Sequence, residues 1–205
     1  MSLGYAQARG PVLADSLVTQ RSLITDLALI GAGTALVAVL AQVSLPLWPV
    51  PVTGQTLGVI IVGAALGARR GAEALTLYAL VGLAGLPVFA NFTGGPMSVL
   101  KPSFGYVLGF IAAAFVVGWI AERQWDRSFW KSLAGFALAS IIPFLFGVPY
   151  LAITLGIMGL ENDPATLLAL GVTPFILGGL VKAVIAAGIT PLAWKGVAAL
   201  DARKR

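Results

Sequence analysis

Cysteine and histidine are both absent from the chain, and only 10% of its residues are charged. The first absence removes disulfides and thiolate chemistry, and the second removes the commonest transition-metal ligand, so no metal site and no cofactor is expected. The scarcity of charge, together with 59% hydrophobic residues and a mean hydropathy of +0.95, points to a bilayer rather than water as solvent. A net charge of +5 would suit nucleic acid or acidic lipid. The Lys and Arg residues flank apolar runs instead of gathering on a soluble face, which excludes nucleic acid and makes the charge topological. The acids are confined to loops and helix ends, leaving no nucleophile and base to run a reaction, and there is no nucleotide-binding loop. An enzyme is therefore not expected, and any ATP-driven step would come from another chain.

What is present is a series of long apolar runs. Residues 27–68 carry no charge, which is too long for one span, and Pro46, Pro49 and Pro51 divide the run in two. This predicts a first helix over Leu23–Leu45 and a second, short one over Gly54–Gly67, with the PLWPVPV turn dipping into the membrane. A third helix is expected over Ala74–Leu86, a fourth over Ser103–Ala121, a fifth over Ser132–Leu160 kinked at Pro143 and Pro149, and a sixth over Thr173–Trp194. Eleven of the thirteen Lys and Arg residues then fall on one side: Arg9, Arg21, Arg69, Arg70, Arg123, Arg127, Lys131, Lys195, Arg203, Lys204 and Arg205. The positive-inside rule makes that side the cytoplasm. The expectation is an all-α polytopic membrane protein of six transmembrane helices with both termini cytoplasmic. It forms a single domain over 1–205, with a lead over 1–22 that lacks a signal-peptide h-region and a basic tail over 195–205.

Lys182 is the most informative residue. A charge inside a membrane helix costs about 2.5 to 3.5 kcal/mol on insertion scales, so a backbone carbonyl, an amide or a bound anion must compensate it. Gln55, Asn91 and Thr93 add neutral donors and acceptors near the outer helix ends, suited to a ligand that presents N–H and C=O together. Thr93 and Ser103 fit ordinary capping equally well. Tyr106, Tyr150, Phe89, Phe92 and Trp48 offer an apolar wall, although Trp48 better suits an anchor at the membrane interface. The irregular stretch Gly82–Phe110 places these polar points between two apolar helices, where backbone is tolerated only if protein buries it or a cavity needs it. Gly63 with Gly67 and Gly105 with Gly109 read as helix-packing pairs, and Ala28, Ala32 and Ala35 as a smooth stripe on the first helix.

The segments PVPVTGQTLGV (Pro49–Val59), GLPVFA, TGG and LKPSFGYVLGF within Gly85–Phe110, and PFILGGLVKA (Pro174–Ala183) give the chain a resemblance to the BioY family. These are the biotin-specific substrate-binding (S) components of energy-coupling factor transporters. The resemblance implies a six-helix protein holding biotin near its extracellular side, beneath the first outer loop and the loop after the third helix. It places Gln55, the Asn91–Gly95 loop, Tyr106 and Lys182 at the site. It also implies that the Ala28 and Ala32 stripe docks on a transmembrane coupling protein carrying cytoplasmic ATPases; the sequence itself leaves open that the stripe is also a self-association face for a homo-oligomer. Two positions depart from the family pattern. Gly179 stands where the family commonly has Asp, and KPSFGY replaces GPTGGY, which puts Lys101 at the mouth, where it would meet the valerate carboxylate.

Overall fold

The computed structural model describes residues 11–18 and 22–203. Arg9, Arg21, Lys204 and Arg205, counted in the charge bias, lie outside them. The described chain runs α1 (Leu13–Leu17), α2 (Leu23–Ala41), β1 (Ser44–Leu45), β2 (Val52–Thr53), α3 (Gln55–Leu66), α4 (Ala68–Leu83), α5 (Phe104–Ala121), α6 (Phe129–Ala139), α7 (Ile142–Ile157), α8 (Pro164–Gly171) and α9 (Thr173–Arg203). Short 3₁₀ turns at Ala90–Phe92, Pro96–Leu100 and Trp125–Arg127 fill the connections.

Local chemistry sets the boundaries. The Ser22 hydroxyl caps α2 by accepting from the Thr25 N–H at 3.2 Å, and Asp163 caps α8 by accepting from the Ala165 and Thr166 N–H groups. The Thr166 side chain above all, and then those backbone bonds, hold the Asp163 carboxyl below its ordinary pKa. Gly67, at φ +86°, turns α3 directly into α4. The third helix therefore begins at Ala68, ahead of the expected Ala74, and takes Arg69, Arg70 and Glu73 into its first turns. The Glu122 carboxylate accepts from the Ala68 N–H at 2.9 Å and satisfies that new N-terminus.

Other expectations change for equally local reasons. The fifth helix divides into α6 and α7 at Ser140–Ile141, because Pro143 has no N–H to donate and its ring clashes one turn back; Pro149 is accommodated inside α7. The sixth helix continues through the supposed tail to Arg203, with Pro191 inside it. Lys182 consequently sits in the first third of α9 rather than at its middle. The all-α expectation also lacked a small hairpin, in which Ser44 pairs with Thr53 and Leu45 with Val52.

Helix α5 is the central post. Of its apolar window 67% is buried, against 17% for α2. Small residues let its neighbours approach: a Cβ on Gly63 of α3 would lie 2.6 Å from the Ala114 carbonyl of α5, and one on Gly109 would lie 2.6 Å from Pro143 of α7. Gly63 and Gly109 thus pack as expected, whereas Gly67 is a turn residue. The outward surface is studded with large apolar side chains such as Leu145, Ile153, Leu177 and Leu192. The segments Leu23–Ala41, Phe104–Ala121, Phe129–Ile157 and Pro164–Leu200 are long and apolar enough to cross a bilayer, and α3 is a shorter apolar helix beside them. At the opposite end from the hairpin, Arg70 ties α4 to Asp15 of α1 at 2.6 Å and to Asp26 of α2 at 3.1 Å.

A Cβ on Gly118 of α5 would overlap the backbone of Gly67 and Ala68, whereas one on Gly188 of α9 meets nothing within 4 Å. Gly118→Val should cost about 1 to 3 kcal/mol by overpacking and lower the Tm of the detergent-purified protein. Gly188→Val should leave it near wild type. Equal Tm values for the two variants would contradict this packing.

Candidate functional site

The hairpin, the irregular segment after α4 and the facing ends of α3, α5, α7 and α9 enclose a cavity of about 720 Å³. This is within the usual range for a small-molecule site. Its origin is the PVTGQT sequence. Thr53 closes β2, Gly54 turns the chain and Gln55 starts α3, which places three polar side chains, Thr53, Gln55 and Thr56, in the cavity wall.

Lys182 reaches this wall from α9. Its ammonium donates to the Thr53 carbonyl at 2.5 Å and to the Thr56 hydroxyl at 2.9 Å. The compensation is therefore backbone and hydroxyl, and one N–H remains beyond those two bonds. Gln55 is held at both ends. The Thr53 hydroxyl donates to its Oε1 at 2.7 Å, and its Nε2 donates to the Tyr78 hydroxyl at 2.6 Å, which passes a hydrogen bond on to the Val88 carbonyl at 3.0 Å. Each end of the Gln55 amide keeps one further hydrogen-bonding position. Gln55 and Lys182, drawn from distant parts of the sequence, are thus joined through Thr53.

The other sequence candidates divide. Asn91 is exposed at the rim, its Oδ1 accepting from the Ser44 hydroxyl at 2.6 Å. Thr93 lines the cavity and donates to the Ala90 carbonyl at 3.0 Å, a local bond of the capping kind. Lys101 is exposed and lines the mouth. Tyr106 is buried; its hydroxyl donates to the Gly171 carbonyl at 2.8 Å, and its ring stacks on Phe175 and meets Phe144 edge-on. Tyr150 is not part of the lining. Its hydroxyl donates to the Val99 carbonyl and its ring lies against Phe104, so it supports the wall from behind. Phe92 faces outward at 71% exposure, while Trp48 and Phe89 do line the cavity.

Three features went unread in the sequence. Phe104, Phe110, Phe144 and Phe175 supply much of the apolar wall, and they come together only through helix packing. Thr56 lies inside PVPVTGQTLGV, where no spacing distinguishes it from its neighbours. Gln42 is the C-terminal cap of α2, and no sequence pattern marks its role. Its Oε1 accepts from the Phe92 N–H at 2.8 Å, while its Nε2 donates to the Ala38 carbonyl at 2.9 Å and to the Phe89 carbonyl at 3.2 Å. Gln42 thereby clamps the segment in which Asn91 and Phe92 both have positive φ, 58° and 52°.

Among the described lining residues the ionisable groups are Lys101, Lys182 and Tyr106, with no carboxylate. Aromatic and aliphatic walls, neutral hydrogen-bonding groups and two amines are chemically suited to a small anion with an apolar body and an amide-like group. The fold and cavity thus define a multi-pass membrane protein built around a small-molecule site.

Comparison with known proteins narrows that class. The BioY family model matches residues 13–199, and the chain belongs to that family. Biotin transporter BioY of Thermotoga maritima is 41% identical over 157 residues, covering 77% of this chain and 88% of that protein. Biotin transporter BioY of Rhizobium etli is 36% identical over 183 residues, covering 86% and 95%. Among solved structures, the S-component for biotin from an ECF-type ABC transporter superposes with a TM-score of 0.65 at 26% identity, covering 86% of this chain and 95% of that one.

The Gln42 clamp has a direct test. Gln42→Leu removes the acceptor for Phe92 and the donor to Phe89, so amide exchange over residues 88–93 should accelerate about five- to tenfold, the equivalent of roughly 1 kcal/mol. The middle of α2 should stay protected. Unchanged exchange in residues 88–93 would show that the segment is held by other contacts.

Proposed function

We propose that the chain captures biotin from outside the cell and acts as the substrate-binding component of an energy-coupling factor transporter. The observation that carries this is the cavity itself: two amines, no carboxylate and aromatic walls, in a chain of the BioY family. Biotin presents a ureido group with N–H and C=O, an apolar bicycle and a valerate carboxylate. Gln55, Asn91 and Thr93 suit the first, the phenylalanines the second and Lys101 the third. Lys182 acts deeper, joining the Thr53 carbonyl and the Thr56 hydroxyl to the ligand through its remaining N–H. The function is binding and translocation, with no chemistry on the substrate.

The same reading gives six crossings, by α2, α3, α4, α5, α6 with α7, and α9, with both termini cytoplasmic. Its support is the position of Arg69, Arg70, Arg123, Arg127, Lys131 and Lys195, all at the end away from the cavity mouth. On α2, Ala28, Ala32 and Ala35 are exposed while Gly33, Thr34, Val37 and Ala41 are buried. The alanine stripe is the face on which a transmembrane coupling protein would dock, bringing cytoplasmic ATPase subunits with it. A second copy of the chain is the competing occupant. Whichever partner docks, the surrounding lipid bilayer covers the remaining apolar surface.

Titration of the purified protein with a panel of vitamins tests the substrate. Saturable binding of biotin is expected; binding of another vitamin in its place would make the chain an S component of different specificity. Lys182→Ala should weaken biotin at least about tenfold, since removing one partner of a desolvated polar contact costs about 2 to 5 kcal/mol. Wild-type affinity in a folded Lys182→Ala protein would remove Lys182 from the site. Docking is separable from binding: Ala28→Trp with Ala32→Trp should preserve biotin affinity and abolish ATP-dependent uptake in cells that hold the coupling partners. Loss of affinity in that double variant would instead place the stripe against the protein's own helices.

A further inference from the structure

The connection between α5 and α6 separates its charges. Both of its acids turn inward: Glu122 accepts from the Ala68 N–H, and Asp126 is fully buried, accepting from the Trp194 indole N–H at 2.5 Å. All of its cations turn outward. Arg123, Arg127 and Lys131 are exposed, as is Lys195 on the adjoining turn of α9. Among the described residues none of the four forms an ion pair with a carboxylate.

The two arginines are also held in place. The Arg123 guanidinium lies 3.3 Å from the centre of the Trp119 ring, and that of Arg127 lies 4.1 Å from the centre of the Trp194 ring. Stacking fixes the plane of a guanidinium and leaves its edge donors directed along that plane, the geometry that favours bidentate contact with phosphate. Each arginine uses one donor on backbone, Arg123 on the Trp119 carbonyl at 3.0 Å and Arg127 on the Pro11 carbonyl at 3.4 Å. Among the described residues the remaining donors meet no other acceptor and can face a ligand. Around them Trp119, Trp125 and Trp130 are 43%, 40% and 75% exposed, as in an aromatic belt at headgroup depth.

We infer that Arg123, Arg127, Lys131 and Lys195 form a binding site for the phosphate headgroup of an anionic phospholipid, with the exposed tryptophans seated in the interface beside it. The charge separation is what selects a lipid anion: with Glu122 and Asp126 turned inward on Ala68 and Trp194, the outer face is a cationic, membrane-level patch in which Arg127 feels a nearby carboxylate, that of Asp126. The site lies at the end of the bundle opposite the ligand cavity and does not depend on the identity of the transported molecule.

The test reconstitutes the full chain in nanodiscs of equal parts phosphatidylcholine and phosphatidylglycerol, then reads the retained lipids by native mass spectrometry after release into detergent. Wild type should retain phosphatidylglycerol in preference to phosphatidylcholine. Arg123→Gln with Arg127→Gln should lower that preference by about thirtyfold, as expected for two cations at a lipid surface. The Arg→Lys pair, which keeps the charge and loses the stacked fork, should fall between them. Biotin titration of the same samples reports folding. If the Gln pair does not fold, Lys131→Gln with Lys195→Gln changes exposed charge alone and should lower the preference in the same direction. Equal retention of the two lipids by wild type, or an unchanged preference in folded variants, would overturn the assignment.

Discussion

A charged amine on an apolar helix has to be satisfied, and the way this is done for Lys182 organises the site. The ammonium finds its partners in the Thr53 carbonyl and the Thr56 hydroxyl, where the hairpin gives way to α3. That position is fixed in turn by Gln55, and Gln55 by Tyr78, whose hydroxyl reaches the Val88 carbonyl. One chain of hydrogen bonds therefore connects α9, the hairpin, α3, α4 and the segment after α4. In a low-dielectric interior each such bond is stronger than in water, and leaving any of its members unpaired is correspondingly costly.

The apolar half of the site depends on close packing. Small residues on α3 and α5 let the helices approach until backbone meets side chain, and the same closeness positions Tyr106, Phe144 and Phe175 against one another. Gly147 on α7 belongs to this arrangement, because a Cβ there would lie 2.5 Å from the Tyr106 ring. The outer segments need different fixing. Val50 and Phe89 anchor them in the apolar core, and side-chain amides hold what lies between: Gln42 takes the backbone around Phe89 and Phe92, and Asn91 meets Ser44 of the hairpin.

Much of this was legible in the sequence because the bilayer imposes length and charge rules that a chain cannot disguise. Apolar runs, proline positions and the Lys/Arg bias located the helices, and the charge of Lys182 inside one of them marked the cavity. Reading failed where the cause was non-local or very short. The hairpin strands have two residues each and show no period. Helix α4 begins in a charged segment that looks like a loop, because the Glu122 carboxylate that satisfies its start comes from far along the chain. The roles of Gln42 and Tyr150 depend on backbone carbonyls, which leave no trace in side-chain composition. The alanine stripe was visible as a pattern, and the structure adds that it faces outward.

A cavity with two lysines and no carboxylate suits an anion with an apolar body, and biotin is the anion proposed. Isothermal titration of the purified wild-type chain with biotin and with biotin methyl ester, which share the ring system and side chain and carry a charged carboxylate and a neutral ester respectively, is the decisive test. The account predicts that the ester binds at least about tenfold more weakly, a loss of about 1.4 kcal/mol. Equal affinity for the two ligands would contradict it.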